Sequence, residues 1–204
     1  MAIWRIILLI TGIIALLITF VSFFWTMYKK RKLIQKYSFN LENEDSTALM
    51  TLGNQISDLK SEIWLIESLE FVINKINKEN FKKNLFLESD GLVACLSQKN
   101  IENSQNMVSI NYLDENRINE NAEKLNISGL NFVSFYEPFF DFILISVKIE
   151  PKSILEFLEI LKTDGVLIWK YTKKHRQSIL KFLKSKKIVF DEYFYYDFLI
   201  ITKK

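Results

Sequence analysis

Apolar residues form one continuous segment near the amino terminus, and further along the chain they recur at regular spacings. The segment IILLITGIIALLITFVSFFWTMY, from Ile6 to Tyr28, contains no charged residue. As a helix it is long enough to cross a hydrocarbon core of about 30 Å. Trp25 and Tyr28 lie at its carboxyl end, where amphipathic rings favour the headgroup region. The pattern therefore predicts one transmembrane helix over residues 6–28.

The charges that flank this segment predict its orientation. The basic residues KKRK follow it at Lys29–Lys32, whereas only Arg5 and the amino terminus are charged before it. By the positive-inside bias, we expect the amino terminus outside and residues 29–204 in the cytoplasm. A signal peptide would have a shorter apolar core followed by small residues, and the bulky sequence FWTMY stands there instead. We therefore expect residues 1–32 to be an uncleaved anchor.

Residues 33–80 combine a polar connector with helical periodicity. The connector is SFNLENEDSTALM, from Ser38 to Met50, and apolar residues then recur at helical spacing over residues 55–77. Such a helix either packs on its own domain or pairs with a partner near the membrane. Periodicity alone leaves both interpretations open.

From Leu85 onward, short apolar runs alternate with segments of helical periodicity. The runs lie at 85–87, 107–112, 131–135, 140–147, 165–171, 187–190 and 194–202, and the helical segments at 92–99, 115–127, 152–162 and 175–185. This alternation predicts an α/β, Rossmann-like domain over residues 81–204, with a mostly parallel sheet and helices on both faces. The last two runs have no helix between them, which predicts an antiparallel terminal strand.

The net charge and the residue types argue against two classes of function, specific nucleic-acid binding and a Cys/His metal site. The net charge is +3, which is too small to predict specific nucleic-acid binding. The chain has one cysteine, Cys95, and one histidine, His175. A single cysteine fits a reducing compartment, and a Cys/His metal site is not expected. A basic run from Lys173 to Lys187 fits either anionic headgroups or an ordinary solvated helix face.

The order of elements over residues 81–204 resembles the class I S-adenosylmethionine-dependent methyltransferase fold, which ends in the same helix, strand, strand arrangement. NRINENAEKLNISGLNFV, from Asn116 to Val133, looks like the second helix and third strand of that family. FLEILKTDGVLIW, from Phe157 to Trp169, is similar to the family's helix and glycine turn into the fifth strand. The resemblance implies S-adenosylmethionine as cofactor and, in an active member, methyl transfer.

The resemblance also implies where a cofactor would bind. In the family, the first strand ends in an acidic residue followed by G-x-G-x-G, and the second ends in an acid that binds ribose hydroxyls. In NLFLESDGLVACL, Glu88 matches the first acid, but Ser89, Asp90 and Gly91 follow at once, and Asn111 stands at the second position. The implied site is thus Glu88, Asp90, Gly91 and Asn111. Glu88 and Asp90 are alternatively caps of the following helix.

The connection between the third and fourth predicted strands is short. In the family this connection crosses three strand spacings of about 4.8 Å and returns about 15–20 Å to the other end of the sheet. At most eight residues, VSFYEPFF, are available, and when extended they reach about 27 Å. A crossover helix is therefore excluded, and the connection is feasible only if the third strand is very short. Either the sheet is trimmed at this edge, or the third strand lies elsewhere than in the family.

After the fourth predicted strand, SVKIEP lacks the Asn/Asp-Pro-Pro-aromatic motif that marks many amino-methylating members of the family. Together with the short loop and with Asn111 in place of an acid, this absence predicts a degenerate methyltransferase-like protein. It would act as an interaction or scaffold module at the cytoplasmic membrane face, bound to the membrane through residues 6–28 and to a protein partner. One alternative is an active, divergent S-adenosylmethionine-dependent methyltransferase. Another is an accessory subunit of a membrane complex that docks through helix 55–77. No residue is assigned a catalytic role.

Overall fold

The computed structural model describes residues 64–203, except 135, 137, 138, 194 and 195, together with seven isolated positions before residue 27. Residues 52–204 form one compact unit, and Met1–Thr51 form another. None of the helices described is long and apolar enough to cross a membrane. Most of the predicted span at 6–28, the polar connector and the predicted helix up to residue 63 lie outside the described residues.

Residues 64–203 form an α/β domain whose elements follow the predicted order. The described helices are α1 (Ile66–Lys78), α2 (Leu92–Asn100), α3 (Glu115–Leu125), α4 (Ile154–Ile160) and α5 (Arg176–Ser185). The described strands are β1 (Lys83–Leu87), β2 (Gln105–Ser109), β3 (Asn131–Val133), β4 (Phe140–Ile145), β5 (Leu161–Lys170), β6 (Asp191–Tyr193) and β7 (Phe198–Thr202).

The strands form one sheet in the order β3-β2-β1-β4-β5-β7-β6. The first five strands in this order are parallel to one another. β7 runs antiparallel to β5, and β6 runs antiparallel to β7. The predicted mostly parallel sheet with an antiparallel end is therefore confirmed.

Helices cover both faces of the sheet because successive strand residues point to opposite sides. On one face, Phe86, Leu144 and Ile168 pack with the apolar residues of α1, α2 and α3. On the other face, Leu87 and Trp169 pack with the apolar residues of α4 and α5. The sheet therefore lies between two layers of helices.

Helix α1 belongs to the core of this domain. Its apolar face is buried through Leu69, Val72, Ile73 and Ile76. The ring of Phe71 lies within 6 Å, centroid to centroid, of the rings of Tyr193, Tyr196 and Phe198. For the described part of the predicted 55–77 helix, packing on its own domain is therefore the observed arrangement.

The short connection has trimmed the sheet rather than moved a strand. β3 has three residues and pairs with β2, with Phe132 opposite Val108. Residues 134–139 then lead to β4, and those of them that are described are not helical. The third strand thus lies at the sheet edge, beside β2, as the resemblance implies.

The strand predicted at 187–190 is wrong, because β6 lies at Asp191–Tyr193. Residues 187–190 instead wrap around the carboxyl end of α5. Lys187 has a φ of 56°, and the amide of Ile188 donates to the carbonyl of Leu183 at 3.0 Å. An apolar run of this length does not distinguish a strand from a segment that covers a helix end.

A charged cluster attaches the edge strand β6 to α5. Glu192 accepts hydrogen bonds from Arg176 at 2.6 and 2.8 Å and from the Tyr171 hydroxyl at 2.6 Å. Because the group is partly solvated, we expect Glu192→Gln to lower the free energy of unfolding by about 1 kcal/mol in urea denaturation. The neighbouring exposed change Asp191→Asn serves as control. Equal effects of the two substitutions would contradict this role of Glu192.

Candidate functional site

The predicted site residues lie at the carboxyl edge of the sheet, beside the point where the strand order reverses between β1 and β4. Open α/β sheets bind ligands at such a point. Glu88, Asp90 and Gly91 follow β1 directly, and Asn111 follows β2 in the 3-10 helix Ile110–Tyr112. The structure therefore brings the residues of the first loop together and places Asn111 after the neighbouring strand.

Glu88 is a helix cap. Its side chain is fully buried, and its two carboxyl oxygens accept hydrogen bonds from the amides of Val93 and Ala94, each at 3.0 Å. Both amides belong to the first turn of α2. The capping interpretation of this acid is confirmed. Burial, together with the nearby Asp90 carboxyl, raises the pKa of Glu88 to about 8.

Asp90 and Gly91 complete a tight turn into α2. The Asp90 carboxyl accepts from the amide of Leu92 at 3.3 Å, and burial raises the pKa of this carboxyl. Gly91 has a φ of 61°, which favours glycine because it has no Cβ. A Cβ at this position would lie 2.4 Å from Cδ1 of Ile118. The side chain of Ile118 in α3 therefore fills the space beside the only glycine of the loop.

Helix α3 also binds the backbone of the loop. The Asn121 side-chain amide donates to the carbonyl of Asp90 at 2.9 Å, and the amide of Asp114 donates to the carbonyl of Ser89 at 2.8 Å. The Asp114 carboxyl caps α3 by accepting from the amide of Asn116 at 3.1 Å. The acid nearest to the end of β2 in the sequence is thus a second helix cap.

Asn111 is exposed and lies beyond the end of β2, which stops at Ser109. Its side-chain amide donates to the carbonyl of Ser134, just after β3, at 3.5 Å. This bond joins the loops that follow β2 and β3, and it does not involve Glu88 or Asp90.

Tyr136, in the connector before β4, also lies at this edge and was not among the predicted site residues. Its hydroxyl lies 2.7 Å from Oγ of Ser109, the last residue of β2, and its ring centroid lies 5.7 Å from that of Phe157 in α4. Tyr136 therefore extends from the end of β2 to the helix that follows β4, over the layer that contains Leu87. The sequence signal for Tyr136 was the short connector between β3 and β4. Because this connector has no room for a helix, one of its own large side chains covers this part of the sheet.

Tyr112 shares this edge. Burial, with Tyr136 and Glu156 nearby, raises the pKa of its phenol, although the side chain keeps 39% of its surface exposed. The edge thus presents phenol and amide groups that can donate or accept hydrogen bonds. Over the residues that the structure describes, no group of three or more His, Cys, Asp and Glu side chains could hold a metal ion.

No protein-family model matches the sequence, and no curated protein matches it. Several solved structures, by contrast, are similar to this chain. A Staphylococcus aureus protein described as a caffeoyl-CoA O-methyltransferase aligns with a TM-score of 0.57 and 15% identity, over 84% of this chain and 99% of that chain. An SAH-bound methyltransferase of Podospora anserina aligns with a TM-score of 0.56 and 10% identity, over 85% of this chain and 95% of that chain.

The chain has a class I S-adenosylmethionine-dependent methyltransferase-like fold. An O-methyltransferase of Bacillus cereus in complex with SAH also aligns with it, with a TM-score of 0.53 and 13% identity over 84% of this chain and 97% of that chain. At these identities, the similarity establishes the methyltransferase-like fold alone, and function has to be argued from the site.

Proposed function

We propose that the protein is a membrane-anchored, catalytically degenerate methyltransferase-like module that holds a protein partner at the cytoplasmic face of the membrane. The observation that carries this proposal is the contact between Gly91 and Ile118. A cofactor loop needs open space beside its glycines so that the backbone can approach the ligand. Here that space contains a branched side chain from α3, within 2.4 Å of where a Cβ would stand.

The polar groups of the loop point to the same function. The amino end of a helix attracts anionic groups because its first amides have no partner within the helix. In α2, three of these amides already bind carboxyl groups of the chain itself. Leu92 binds Asp90, while Val93 and Ala94 bind Glu88. A ligand would have to displace a buried acid to reach these amides.

The contacts of Tyr136, at the end of β2, also support the loss of the cofactor site. Its hydroxyl bonds the buried Ser109, and its ring packs on Phe157. Entry of a flat ligand at the end of β2 would cost this hydrogen bond and this ring contact. These contacts support the proposal that the protein does not bind S-adenosylmethionine.

The membrane part of the proposal is supported by the uncharged segment 6–28 and the basic residues at 29–32. We expect the chain to stay in the membrane fraction after alkaline carbonate extraction. We also expect a tag at the carboxyl terminus to be cleaved by protease only after the cytoplasmic side is opened. Release by carbonate, or cleavage in intact cells, would contradict the anchor or its orientation.

The degenerate site is tested by thermal unfolding of the full chain in detergent with S-adenosylmethionine or S-adenosylhomocysteine. A ligand present at a hundred times its Kd stabilises a protein by about 2.7 kcal/mol, which is a clear rise in Tm. We expect no rise at millimolar concentrations of either compound. A rise of several degrees would favour the active enzyme.

An active, divergent methyltransferase is the second candidate. It is favoured by the convergence of Glu88, Asp90 and Gly91 at the strand-order reversal and by the SAH complexes of two proteins that share the fold. In that case Asn111 would bind a ribose hydroxyl, and the bound cofactor would supply the methyl group. This function requires that the side chains of Ile118 and Tyr136 move away from the site.

An accessory subunit that docks through helix 55–77 is the third candidate. From Leu69 to Ile76 the apolar face of this helix is buried in its own domain, with Ile73 only 4% exposed, whereas Leu65 and Ile66 are 52% and 45% exposed. Docking would therefore have to use these two residues or residues 55–63, which lie outside the described residues. A charge at Ile63 that abolishes partner recovery without unfolding the domain would support this candidate.

A further inference from the structure

A run of unbalanced positive charge covers α5 and the residues on both sides of it. Residues 172–190 contain seven of the 27 lysines and arginines in the chain and none of its 24 acidic residues. Arg176 is bound to Glu192, and the six lysines are exposed. We call these six residues the basic surface: Lys173, Lys174, Lys181, Lys184, Lys186 and Lys187.

The acidic groups next to α5 leave the basic surface positive. The Glu192 carboxyl from β6 is held by Arg176 at 2.6 Å, and the Glu150 carboxyl is held by Lys152 at 2.9 Å. Glu150 precedes the 3-10 helix Pro151–Ser153, which packs on α5. Asp191 follows the run and carries a single charge. The lysines of the basic surface therefore outnumber the acids beside them.

An exposed apolar residue follows the last two lysines of the basic surface in the sequence. Val189 follows Lys186 and Lys187 closely in the sequence and keeps 72% of its surface exposed. It borders a small cavity of about 200 Å³ that is mainly apolar, lined by Leu158, Ile188, Val189, Ile201, Thr202 and Lys203. Cations beside an exposed apolar side chain are the combination that suits the boundary between lipid headgroups and acyl chains.

We propose that the basic surface, with Val189, binds the anionic phospholipid headgroups of the membrane that carries the protein. This inference rests on the proposed function, because the anchor would keep α5 at a high effective concentration near one leaflet. Lysines near an anionic leaflet bind through a field that falls off within a Debye length. Val189 and its apolar cavity favour a bilayer over a nucleic acid, which offers no acyl chains.

The single cysteine of the chain makes a direct test practical. Cys95 is buried, and burial first, then the Glu88 and Asp90 carboxyls, raise the pKa of its thiol to about 12, so it reacts slowly with thiol reagents. A Val189→Cys variant can therefore be labelled selectively with an environment-sensitive fluorophore. The full chain would be placed in nanodiscs of phosphatidylcholine alone or of phosphatidylcholine with phosphatidylserine.

We expect the emission at position 189 to shift to the blue only in nanodiscs that contain phosphatidylserine. The shift should disappear at about 1 M salt, where the Debye length is near 3 Å. A label on a Lys99→Cys variant, on the exposed end of α2, should report no difference between the two lipids. Equal emission from position 189 in both lipids would overturn the proposal.

Two matched sets of substitutions test whether the lysines cause the shift. The test variant should lose most of the shift, because it lacks four of the six lysines that an anionic leaflet would attract, and the control variant should behave as the parent. The test variant carries Lys174→Gln, Lys181→Gln, Lys184→Gln and Lys186→Gln. The control variant carries Lys82→Gln, Lys99→Gln, Lys124→Gln and Lys148→Gln, at exposed positions elsewhere on the domain. Equal behaviour of the two variants would contradict the assignment.

Other outcomes separate this inference from the proposed function. Binding of an RNA oligonucleotide in detergent, lost in the test variant alone, would overturn the lipid assignment in favour of nucleic acid. A chain that does not enter neutral nanodiscs, yet floats with phosphatidylserine vesicles through these lysines, would refute the anchor and support the basic surface. Binding of S-adenosylhomocysteine would refute degeneracy and leave the basic surface untouched.

Discussion

Replacing Gly91 by alanine is expected to destabilise the domain by about 2–5 kcal/mol. A left-handed backbone costs a residue with a Cβ about 1–2 kcal/mol. The added methyl would also lie 2.4 Å from Cδ1 and 2.6 Å from Cγ1 of Ile118. Such overpacking costs about 1–3 kcal/mol more. Urea denaturation followed by circular dichroism would measure the loss.

The chain provides a matched control for this substitution. Gly129 also has a positive φ, of 86°, but nothing lies within 4 Å of the position that its Cβ would take. Gly129→Ala should therefore cost only the backbone strain, about 1–2 kcal/mol. In a double-mutant cycle, Ile118→Ala should recover at least about 1 kcal/mol of the cost of Gly91→Ala. Equal costs at the two glycines, with no coupling to Ile118, would show that the loop is open.

The buried carboxyl of Glu88 is expected to make the domain less stable as the pH rises. Its pKa is about 8 in the folded protein and near 4.5 when exposed. Between these values the folded state keeps a proton that the unfolded state releases, so the free energy of unfolding decreases with pH. The stability is fully present below about pH 4.5 and is lost as the pH rises through about 8, by an amount on the order of 3–5 kcal/mol.

Substitution of Glu88 isolates its part of this dependence. Glu88→Gln cannot ionise, so the free energy of unfolding should change much less between about pH 5 and pH 8 than in the parent. The exposed Glu102→Gln should leave the dependence unchanged. Urea denaturation at both pH values gives the comparison. A parent protein that becomes more stable over this range would mean that the two amides of α2 hold the carboxylate form.

The topology was predictable because it depends on local patterns. Strands that alternate with helices require a mostly parallel sheet, and two runs without a helix between them require an antiparallel pair. The position of β6 was not predictable in this way. Its residues Asp191–Tyr193 are held by the contact of Glu192 with Arg176 and by the packing of Tyr193 on Phe71, which are far apart in the sequence.

The candidate site was predictable only in part for the same reason. Acidic residues that flank a turn before a helix commonly cap it, so Glu88 could be interpreted from its neighbours alone. The contact of Ile118 with Gly91, and that of Tyr136 with Ser109, join segments that the fold brings together. No local pattern indicates either contact, although the short connector before β4 predicted that no helix lies between β3 and β4.

We propose that the space beside Gly91 does not admit a cofactor, and calorimetric titration of the full chain with S-adenosylhomocysteine is the direct test of this proposal. We expect no saturable heat at millimolar ligand, for the parent, for Asn111→Ala and for the exposed control Asn119→Ala alike. Micromolar binding that is weakened by Asn111→Ala and unaffected by Asn119→Ala would contradict it. That result would favour an active methyltransferase whose loop opens to its cofactor.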